Sequence, residues 1–181
     1  MLLTGGASTR MGTDKASLVV DGVPLAELVA RRLLEAGYAV TVCGLKPIEG
    51  CAFIPDAAVH AGPLAALAPF KPRTSFVFVS ACDLSCFDAR LVAVLRSLIG
   101  LCDAAVPTIA GRLQPLAALY SERAFPIASQ VYDQGKRSVM AWLDALRVQS
   151  VDETTFVTQG IALESLASAN TPEELARLSR P

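Results

Sequence analysis

The feature that most constrains this chain is a glycine-rich loop directly behind a short apolar run near its start, together reading LLTGGASTRMGTDK. Glycines at Gly5, Gly6 and Gly12 allow the backbone to approach a ligand closely, so that successive N–H groups can converge on one anion. Arg10 and Lys15 lie in the same loop. An arginine can fork onto phosphate oxygens while a lysine acts as a mobile charge, so the loop is predicted to bind a nucleotide triphosphate.

The spacing of this loop matches neither of the two common phosphate-binding motifs. The Walker pattern places four residues between its glycines and then Gly-Lys-Ser/Thr, and the dinucleotide fingerprint is G-x-G-x-x-G. An ordinary glycine-rich turn after a first strand is the alternative interpretation. The loop instead resembles the L-x-G-G-x-S-x-R-M-G-x-D-K signature of the molybdenum cofactor guanylyltransferases, which belong to the sugar-nucleotide-transferase-like nucleotidyltransferases.

Size and charge limit the possible organisation of the chain. Its 181 residues, 52% of them hydrophobic and 18% charged, suffice for one buried core and are few for two. We therefore expect a single domain over residues 1–181. The formal net charge of -1 argues against a nucleic-acid partner, which would require a basic excess, and favours a small anionic ligand.

The apolar segments predict a location in the cytoplasm rather than in a membrane. The mean hydropathy is +0.45, yet no apolar run approaches the ~20 residues that span a bilayer. The amino terminus also lacks the charged and apolar regions of a signal peptide. We expect a soluble cytoplasmic protein without a membrane partner.

The cysteines and the single histidine give weaker indications. Five cysteines scattered among apolar residues predict buried, reduced thiols rather than a disulfide framework. Cys82 and Cys86 lie close in sequence, but no second pair or nearby histidine completes a tetrahedral zinc site. His60 lies in a predicted loop, where a solvent-facing or hydrogen-bonded role is the default and a catalytic base is the alternative.

Strands and helices alternate along the chain. Strands are predicted at residues 1–4, 18–20, 39–43, 51–54, 76–79, 103–107, 115–120 and 148–151, and helices at 24–37, 62–70, 88–100, 121–131, 138–146 and from 171 onward. Residues 108–114 are predicted to form a polar loop. The alternation implies an α/β fold, a three-layer α/β/α sandwich with a mostly parallel central sheet. The resemblance implies a Rossmann-like nucleotidyltransferase fold, with further apolar residues ahead of the short first strand.

An aspartate follows the most apolar predicted strand, FVFV at residues 76–79. Ligands of open parallel sheets bind beyond the carboxyl ends of the strands, and an unpaired carboxylate beside a buried strand is costly. A divalent cation beside Asp83 would offset that cost, while a turn-capping aspartate is the alternative. The resemblance implies that Asp83 binds Mg²⁺, with Ser85 where the family usually has proline.

A second aspartate, Asp56, follows the predicted strand at residues 51–54. A carboxylate can accept hydrogen bonds from the N1–H and the exocyclic amine of guanine, so we hypothesise that Asp56 reads the base. A turn-forming aspartate after Pro55 is the alternative. The resemblance matches Asp56 to a nucleotide-contacting aspartate. Cys43 departs from the family, which often has asparagine there, and its thiol lacks the donor–acceptor pair of an amide.

The resemblance covers nearly the whole chain and implies a reaction. Such an enzyme transfers GMP from GTP to the terminal phosphate of the molybdopterin cofactor, giving molybdopterin guanine dinucleotide and pyrophosphate, with Mg²⁺ as its cofactor. The implied catalytic residues are Arg10, Lys15 and Asp83, of which Asp83 is the metal ligand. The implied nucleotide- and cofactor-binding residues are Leu3, Thr4, Gly5, Gly6, Lys15, Asp56, Asp83 and Asn170.

The resemblance also implies partners. GTP and the molybdopterin cofactor are the small-molecule partners, and proteins that supply the cofactor or the molybdoenzymes that receive it are transient ones. By analogy, Arg112, Lys136, Arg137 and Asn170 line the side that receives the pterin. Each of them is alternatively a solvated surface residue.

Other functions remain open at this point. A molybdenum cofactor cytidylyltransferase, or a transferase acting on another small phosphate, is the near alternative, although cytidylyl relatives usually carry alanine and then glycine in place of Gly5 and Gly6. The second alternative is a nucleotide-binding chaperone that carries the cofactor without catalysis. Arg10, Lys15 and Asp83 favour the enzyme, because cleaving a nucleotide needs more groups than holding it.

Overall fold

The structure, a computed structural model, describes residues 1–5, 19–20, 22–56, 61–84 and 86–166. The described strands are β1 (Leu2–Leu3), β2 (Val19–Val20), β3 (Val23–Pro24), β4 (Thr41–Gly44), β5 (Ala52–Pro55), β6 (Phe76–Ala81), β7 (Ala104–Ile109), β8 (Arg112–Leu113), β9 (Ala117–Ser121) and β10 (Val148–Asp152). The described helices are α1 (Leu25–Glu35), α2 (Pro63–Leu67), α3 (Arg90–Leu98), α4 (Ala124–Asp133), α5 (Val139–Leu143) and α6 (Glu153–Thr158), followed by a 3-10 turn at Leu163–Leu166.

The main sheet is mostly parallel, as predicted. Its strand order is β10-β7-β9-β6-β1-β4-β5, with β8 paired to the last residues of β7 and β2–β3 forming a separate hairpin. Short β1 lies inside the sheet between β6 and β4 and runs parallel to both, with Leu2 opposite Val42 of β4 and Ser80 of β6. Only β9 and β8 run against the other strands of this sheet. The predicted α/β architecture is confirmed.

Helices cover both faces of the sheet and form two apolar cores. On one face, Leu2 and Phe78 pack with residues of α1, α3 and α6. On the other face, Leu3 and Val79 pack with residues of α2, α4 and α5, including Trp142. Consecutive residues of β1 and of β6 therefore enter different cores. Because both faces of these strands are buried, their sequences are continuously apolar rather than alternating.

Residues 108–114 differ from the sequence prediction. The predicted polar loop is a hairpin in which β7 continues to Ile109 and pairs with Arg112 of β8. Its turn places Ala110 at φ 48° and Gly111 at φ 72°. The Ala110 N–H donates a hydrogen bond of 3.1 Å to Glu153 Oε2. Polar residues form a strand here because the two arms of the hairpin pair with each other, and Glu153 satisfies the N–H of the turn.

Two helices also differ from the prediction, one in its first residue and one in its existence. Pro24 was predicted to begin α1, but it is the last residue of β3 and the residue before the helix. Helix α6 was not predicted, since it has only six residues and begins where Asp152 accepts a hydrogen bond from the Thr154 N–H.

Among the described residues, no helix combines the length and the apolar character needed to cross a bilayer. The helix predicted from residue 171 lies outside the described residues.

A buried carboxylate, Asp103, pairs with two exposed arginines and joins the start of β7 to the starts of β10 and α4. The backbone N–H and the Nε of Arg147 donate to Asp103 Oδ2 at 3.1 and 3.2 Å, and Arg123 Nη2 lies 3.8 Å from Oδ1. Asp103 is only 7% exposed. The hydrogen bond from Arg147 is the main reason that the pKa of Asp103 lies below its ordinary value.

We expect Asp103→Asn to lower the free energy of unfolding at pH 7 by about 1–3 kcal/mol, because charged hydrogen bonds are lost from a buried site. The folded-state pKa is depressed, so this contribution is present above the ordinary value of 3.8 and is lost as pH falls through the folded-state pKa. Urea unfolding at pH 7 and pH 2 measures both effects, with exposed Asp144→Asn as control. An equal difference at both pH values would contradict this account.

Candidate functional site

The loops after four parallel strands meet at one edge of the sheet. Strands β5, β4, β1 and β6 are adjacent and point the same way, so the residues that follow them share their carboxyl edge. These residues are Asp56 after β5, Gly44 at the end of β4, Thr4 and Gly5 after β1, and Asp83 after β6. Such an edge is where ligands bind in open α/β sheets.

Backbone hydrogen bonds continue across the sheet into these loops. They run from Cys82 N to Leu3 O at 3.2 Å, from Thr4 N to Cys43 O at 2.9 Å, and from Asp56 N to Gly44 O at 2.9 Å. Each bond joins the end of one strand to that of the next. The positions of the two candidate aspartates are therefore set by the main chain and not by side-chain contacts alone.

Two glycines allow the loops to pack closely. Gly5 and Gly44 differ from the other described glycines, which have positive φ angles suited to turns. A Cβ at Gly5 would lie 2.5 Å from Asp56 Oδ2, and a Cβ at Gly44 would overlap Thr4 Oγ1. Glycine is required at Gly44, where backbone and a buried side chain lie close, whereas a side chain at Gly5 would displace the Asp56 carboxylate. Gly44 was missed by the sequence analysis, because only the fold shows that Thr4 lies against it.

The Asp56 carboxylate lies beside a buried thiol. Burial, and secondly the charge of Asp56, raise the pKa of Cys43, so this cysteine is held in its neutral form. Cys43 is 3% exposed, whereas Asp56 is half-buried. The site therefore offers an accepting carboxylate, while the uncharged Cys43 thiol packs in the apolar core.

Asp83 lies on the opposite side of β1 from Asp56. It follows β6 in a turn that begins where the Ala81 N–H donates to Leu116 O at 2.9 Å, and it is half-buried between Cys82 and Leu84. The described residues contain no group of three or more His, Cys, Asp or Glu side chains that could hold a metal by themselves. A single carboxylate nevertheless fits Mg²⁺, which keeps several waters and takes further oxygens from substrate phosphates.

Several predicted site residues are thus brought together. Leu3, Thr4, Gly5, Asp56 and Asp83 all lie at or directly below the same edge of the sheet. The other predicted positions lie outside the described residues; they are Gly6, Arg10, Gly12, Lys15, His60, Ser85 and Asn170. Their roles stay predictions.

The exposed cations predicted to face the pterin have separate surroundings. Arg112 lies on β8, and Lys136 lies in the loop after α4. Arg137 closes the end of α4, since its guanidinium stacks 4.0 Å from the Tyr132 ring and donates to Tyr132 O at 2.8 Å. The Arg137 carbonyl also approaches Gly62 at the start of α2. A ligand that engages Arg137 must compete with this stacking.

Comparison with known proteins identifies the family. Residues 1–152 match the family described as "MobA-like NTP transferase domain". The chain belongs to this family. The predicted resemblance to the molybdenum cofactor guanylyltransferases is thereby confirmed.

Similar proteins cover nearly the whole chain. A Nostoc sp. protein named "Probable molybdenum cofactor guanylyltransferase" is 34% identical over 97% of this chain and 87% of its own length. A protein of the same name from Natronomonas pharaonis is 30% identical over 98% of this chain and 94% of its own.

Solved structures share the fold. Molybdopterin-guanine dinucleotide biosynthesis protein A from Archaeoglobus fulgidus has a TM-score of 0.80 at 22% identity, covering 98% of this chain and 95% of its own. The 2-C-methyl-D-erythritol 4-phosphate cytidylyltransferase from Thermus thermophilus has a TM-score of 0.69 at 18% identity, with coverages of 98% and 95%. At these identities the likeness concerns the fold alone, and it confirms the predicted Rossmann-like nucleotidyltransferase fold.

Gly44→Ala is expected to lower the free energy of unfolding by about 1–3 kcal/mol, because the added methyl overlaps the Thr4 hydroxyl in a packed region. Thr4→Ala removes that hydroxyl, so the double variant Thr4→Ala/Gly44→Ala should be more stable than the sum of the single effects predicts. A double-mutant cycle by urea unfolding measures this coupling. Strict additivity would mean that the two positions do not clash.

Proposed function

We propose that this chain transfers GMP from GTP to the terminal phosphate of the molybdopterin cofactor and releases pyrophosphate. The observation that carries the proposal is the meeting of Gly5, Asp56 and Asp83 at the carboxyl edge of the sheet in a member of this family. The names of its relatives from Nostoc sp. and Natronomonas pharaonis support guanylyl transfer. In this proposal one domain over residues 1–181 acts in the cytoplasm and contacts cofactor-supplying and recipient proteins transiently.

The proposed reaction is an in-line displacement at the α-phosphorus of GTP. An oxygen of the pterin phosphate forms a new bond to this phosphorus, and the bond to the oxygen that bridges to the β-phosphate breaks. The bond electrons leave with pyrophosphate. A phosphate nucleophile is already ionised at neutral pH, so the reaction requires neither a general base nor a covalent enzyme intermediate.

The residues of the first loop would orient the triphosphate. Gly5 lets the backbone come close to the phosphates, and Arg10 and Lys15 are proposed to stabilise the charge that grows on the leaving pyrophosphate. Asp83 is proposed to hold Mg²⁺, which when bound supplies Lewis-acid stabilisation of phosphate oxygens. Asp83 is suited to this role because it follows a buried strand at the same edge as Gly5.

Asp56 is proposed to select the base. Its carboxylate lies against Gly5, where the nucleotide loop begins. A carboxylate can accept two hydrogen bonds from the adjacent N1–H and amine of guanine, whereas the same edge of cytosine pairs one donor with an acceptor. The neutral thiol of Cys43 neither competes with Asp56 for these donors nor adds a second acceptor of comparable strength.

Nucleotide-dependent stabilisation tests the proposed base preference. With Mg²⁺ present, GTP at about a hundred times its dissociation constant should stabilise the protein by roughly 2.7 kcal/mol, a clear rise in melting temperature. CTP, ATP and UTP at matched concentrations should raise it less, and Asp56→Asn should reduce the advantage of GTP. A larger shift with CTP would favour the cytidylyltransferase, and no shift with any nucleotide would count against the enzyme.

Asp83→Asn should lower kcat/KM for nucleotide transfer about 100-fold or more, because a charged group that stabilises the transition state is lost. The matched control is Asp88→Asn on the same segment, since Asp88 pairs with Arg90 at the start of α3 rather than facing the proposed site. The assay measures pyrophosphate release from GTP and the pterin cofactor at varied Mg²⁺. If the protein were a cofactor chaperone, the unaltered protein and both variants would bind pterin without releasing pyrophosphate. Equal losses of kcat/KM in Asp83→Asn and Asp88→Asn would contradict a special role for Asp83.

A further inference from the structure

The segment that follows Asp83 folds back onto one of the two cores. Leu84 and Phe87 are 3% and 2% exposed, and both belong to the core that contains Phe78 of β6. The ring centroids of Phe87 and Phe78 are 5.5 Å apart. The Phe87 N–H also donates a hydrogen bond of 3.3 Å to Leu84 O. Two buried side chains therefore close the turn directly behind Asp83.

An arginine of α1 bonds to the main chain of this segment. Arg32 Nη1 donates a hydrogen bond of 3.1 Å to Phe87 O, across 55 positions of sequence. Arg32 lies in the last turn of α1, beside Leu33, which enters the same core as Phe87. The main chain four residues beyond Asp83 is thereby fixed to a helix from a different part of the chain.

This hydrogen bond lies at the wall of a surface groove. The groove has a volume of about 520 Å³, and Arg32, Glu35, Cys86 and Phe87 are among the residues that line it. Because the groove is open to solvent, water can solvate Phe87 O when the guanidinium is removed. Loss of Arg32 should therefore affect the position of the segment more than the stability of the fold.

Arg32 also interacts with Asp88, but this interaction is secondary. The hydrogen bond from Arg90 is the main reason that the pKa of Asp88 lies below its ordinary value, and the charge of Arg32 is a smaller cause. Arg90 Nη2 lies 2.6 Å from Asp88 Oδ2 and also donates to Gly160 O at 2.9 Å. Asp88 therefore has a cation of its own, whereas Phe87 O receives its hydrogen bond from Arg32.

We propose that Arg32 is a positioning residue for the metal site. By holding Phe87 O, it fixes the turn from which Asp83 presents its carboxylate to Mg²⁺. A ligand that is already fixed loses less conformational freedom when the ion binds, so the ion binds more tightly. Arg32 itself contacts neither nucleotide nor metal in this role. The role rests on the proposed function, because it requires that Asp83 holds the metal.

The first test measures the gain in GTP affinity that Mg²⁺ provides, by calorimetric titration of GTP in Mg²⁺ and in EDTA. Arg32→Met keeps an unbranched apolar side chain and removes the donor. Removal of groups that orient a metal ligand typically costs about 10–100-fold in metal affinity. Because Arg32 acts through the main chain, the gain should fall by less, about 3–10-fold. The dissociation constant of GTP in EDTA should not change.

Three control variants separate the possible causes. Arg31→Met removes the same charge from an exposed position of the same helix and should keep the full gain. Asp88→Asn leaves the bond from Arg32 to Phe87 O in place and should also keep it. Arg32→Lys retains a donor and should keep part of it. A loss in Asp88→Asn equal to that in Arg32→Met would assign the effect to the charge of Asp88 and overturn the role of Phe87 O.

The same titrations separate failure of this role from failure of the proposed function. An unchanged gain in Arg32→Met beside a reduced gain in Asp83→Asn would overturn the role of Arg32 and leave the proposed metal ligand in place. If Mg²⁺ gave the unaltered protein no gain, the metal role of Asp83 and the role of Arg32 would both be overturned. A lower melting temperature of Arg32→Met with an unchanged gain would assign Arg32 to stability alone.

Hydrogen exchange of the protein without nucleotide or metal gives a readout that does not depend on the reaction. The amides of residues 86–88 should exchange faster in Arg32→Met than in Arg31→Met, because the segment opens more often without its bond to α1. The amides of β6 should exchange equally in the two variants. Equal exchange of residues 86–88 would show that Arg32 does not hold this segment, and would overturn the proposal.

Discussion

The structure depends on the burial of β1 between β4 and β6. Two leucines anchor this strand, with Leu2 in one core and Leu3 in the other. The main chain of the same strand then continues into Thr4 and Gly5, where the candidate nucleotide loop begins. Loss of this strand would detach β4 and β5 from the rest of the sheet. It would also move the two candidate aspartates apart, because one follows a strand on each side of β1.

The candidate site is organised mainly by its backbone. Hydrogen bonds between neighbouring main chains bring Asp56 and Asp83 to the edge, and the two close-packed glycines bring the loops into contact. Cys43 shows how main chain and side chain divide their tasks: its thiol packs in the core, while its carbonyl accepts the hydrogen bond from the Thr4 N–H.

Much of the fold was predictable because its signals are local. Long apolar runs predicted buried parallel strands such as β6, and an aspartate behind each run predicted the position of the edge. Specific side-chain contacts were not predictable: Glu153 accepts from the Ala110 N–H in the turn between β7 and β8, the need for Gly44 depends on Thr4, and Arg137 stacks on Tyr132. The roles of Arg10, Lys15 and Asn170 still stand on sequence alone.

The central position of β1 has a consequence for how the chain acquires its structure. The hydrogen bond from Met1 to Phe78 spans 77 positions of sequence, and that from Thr4 to Cys43 spans 39. Contacts between such distant positions slow folding, because a long loop must close before they are gained. Strand β1 therefore completes its pairing only after β6 has been synthesised, although β6 lies more than seventy residues further along the sequence.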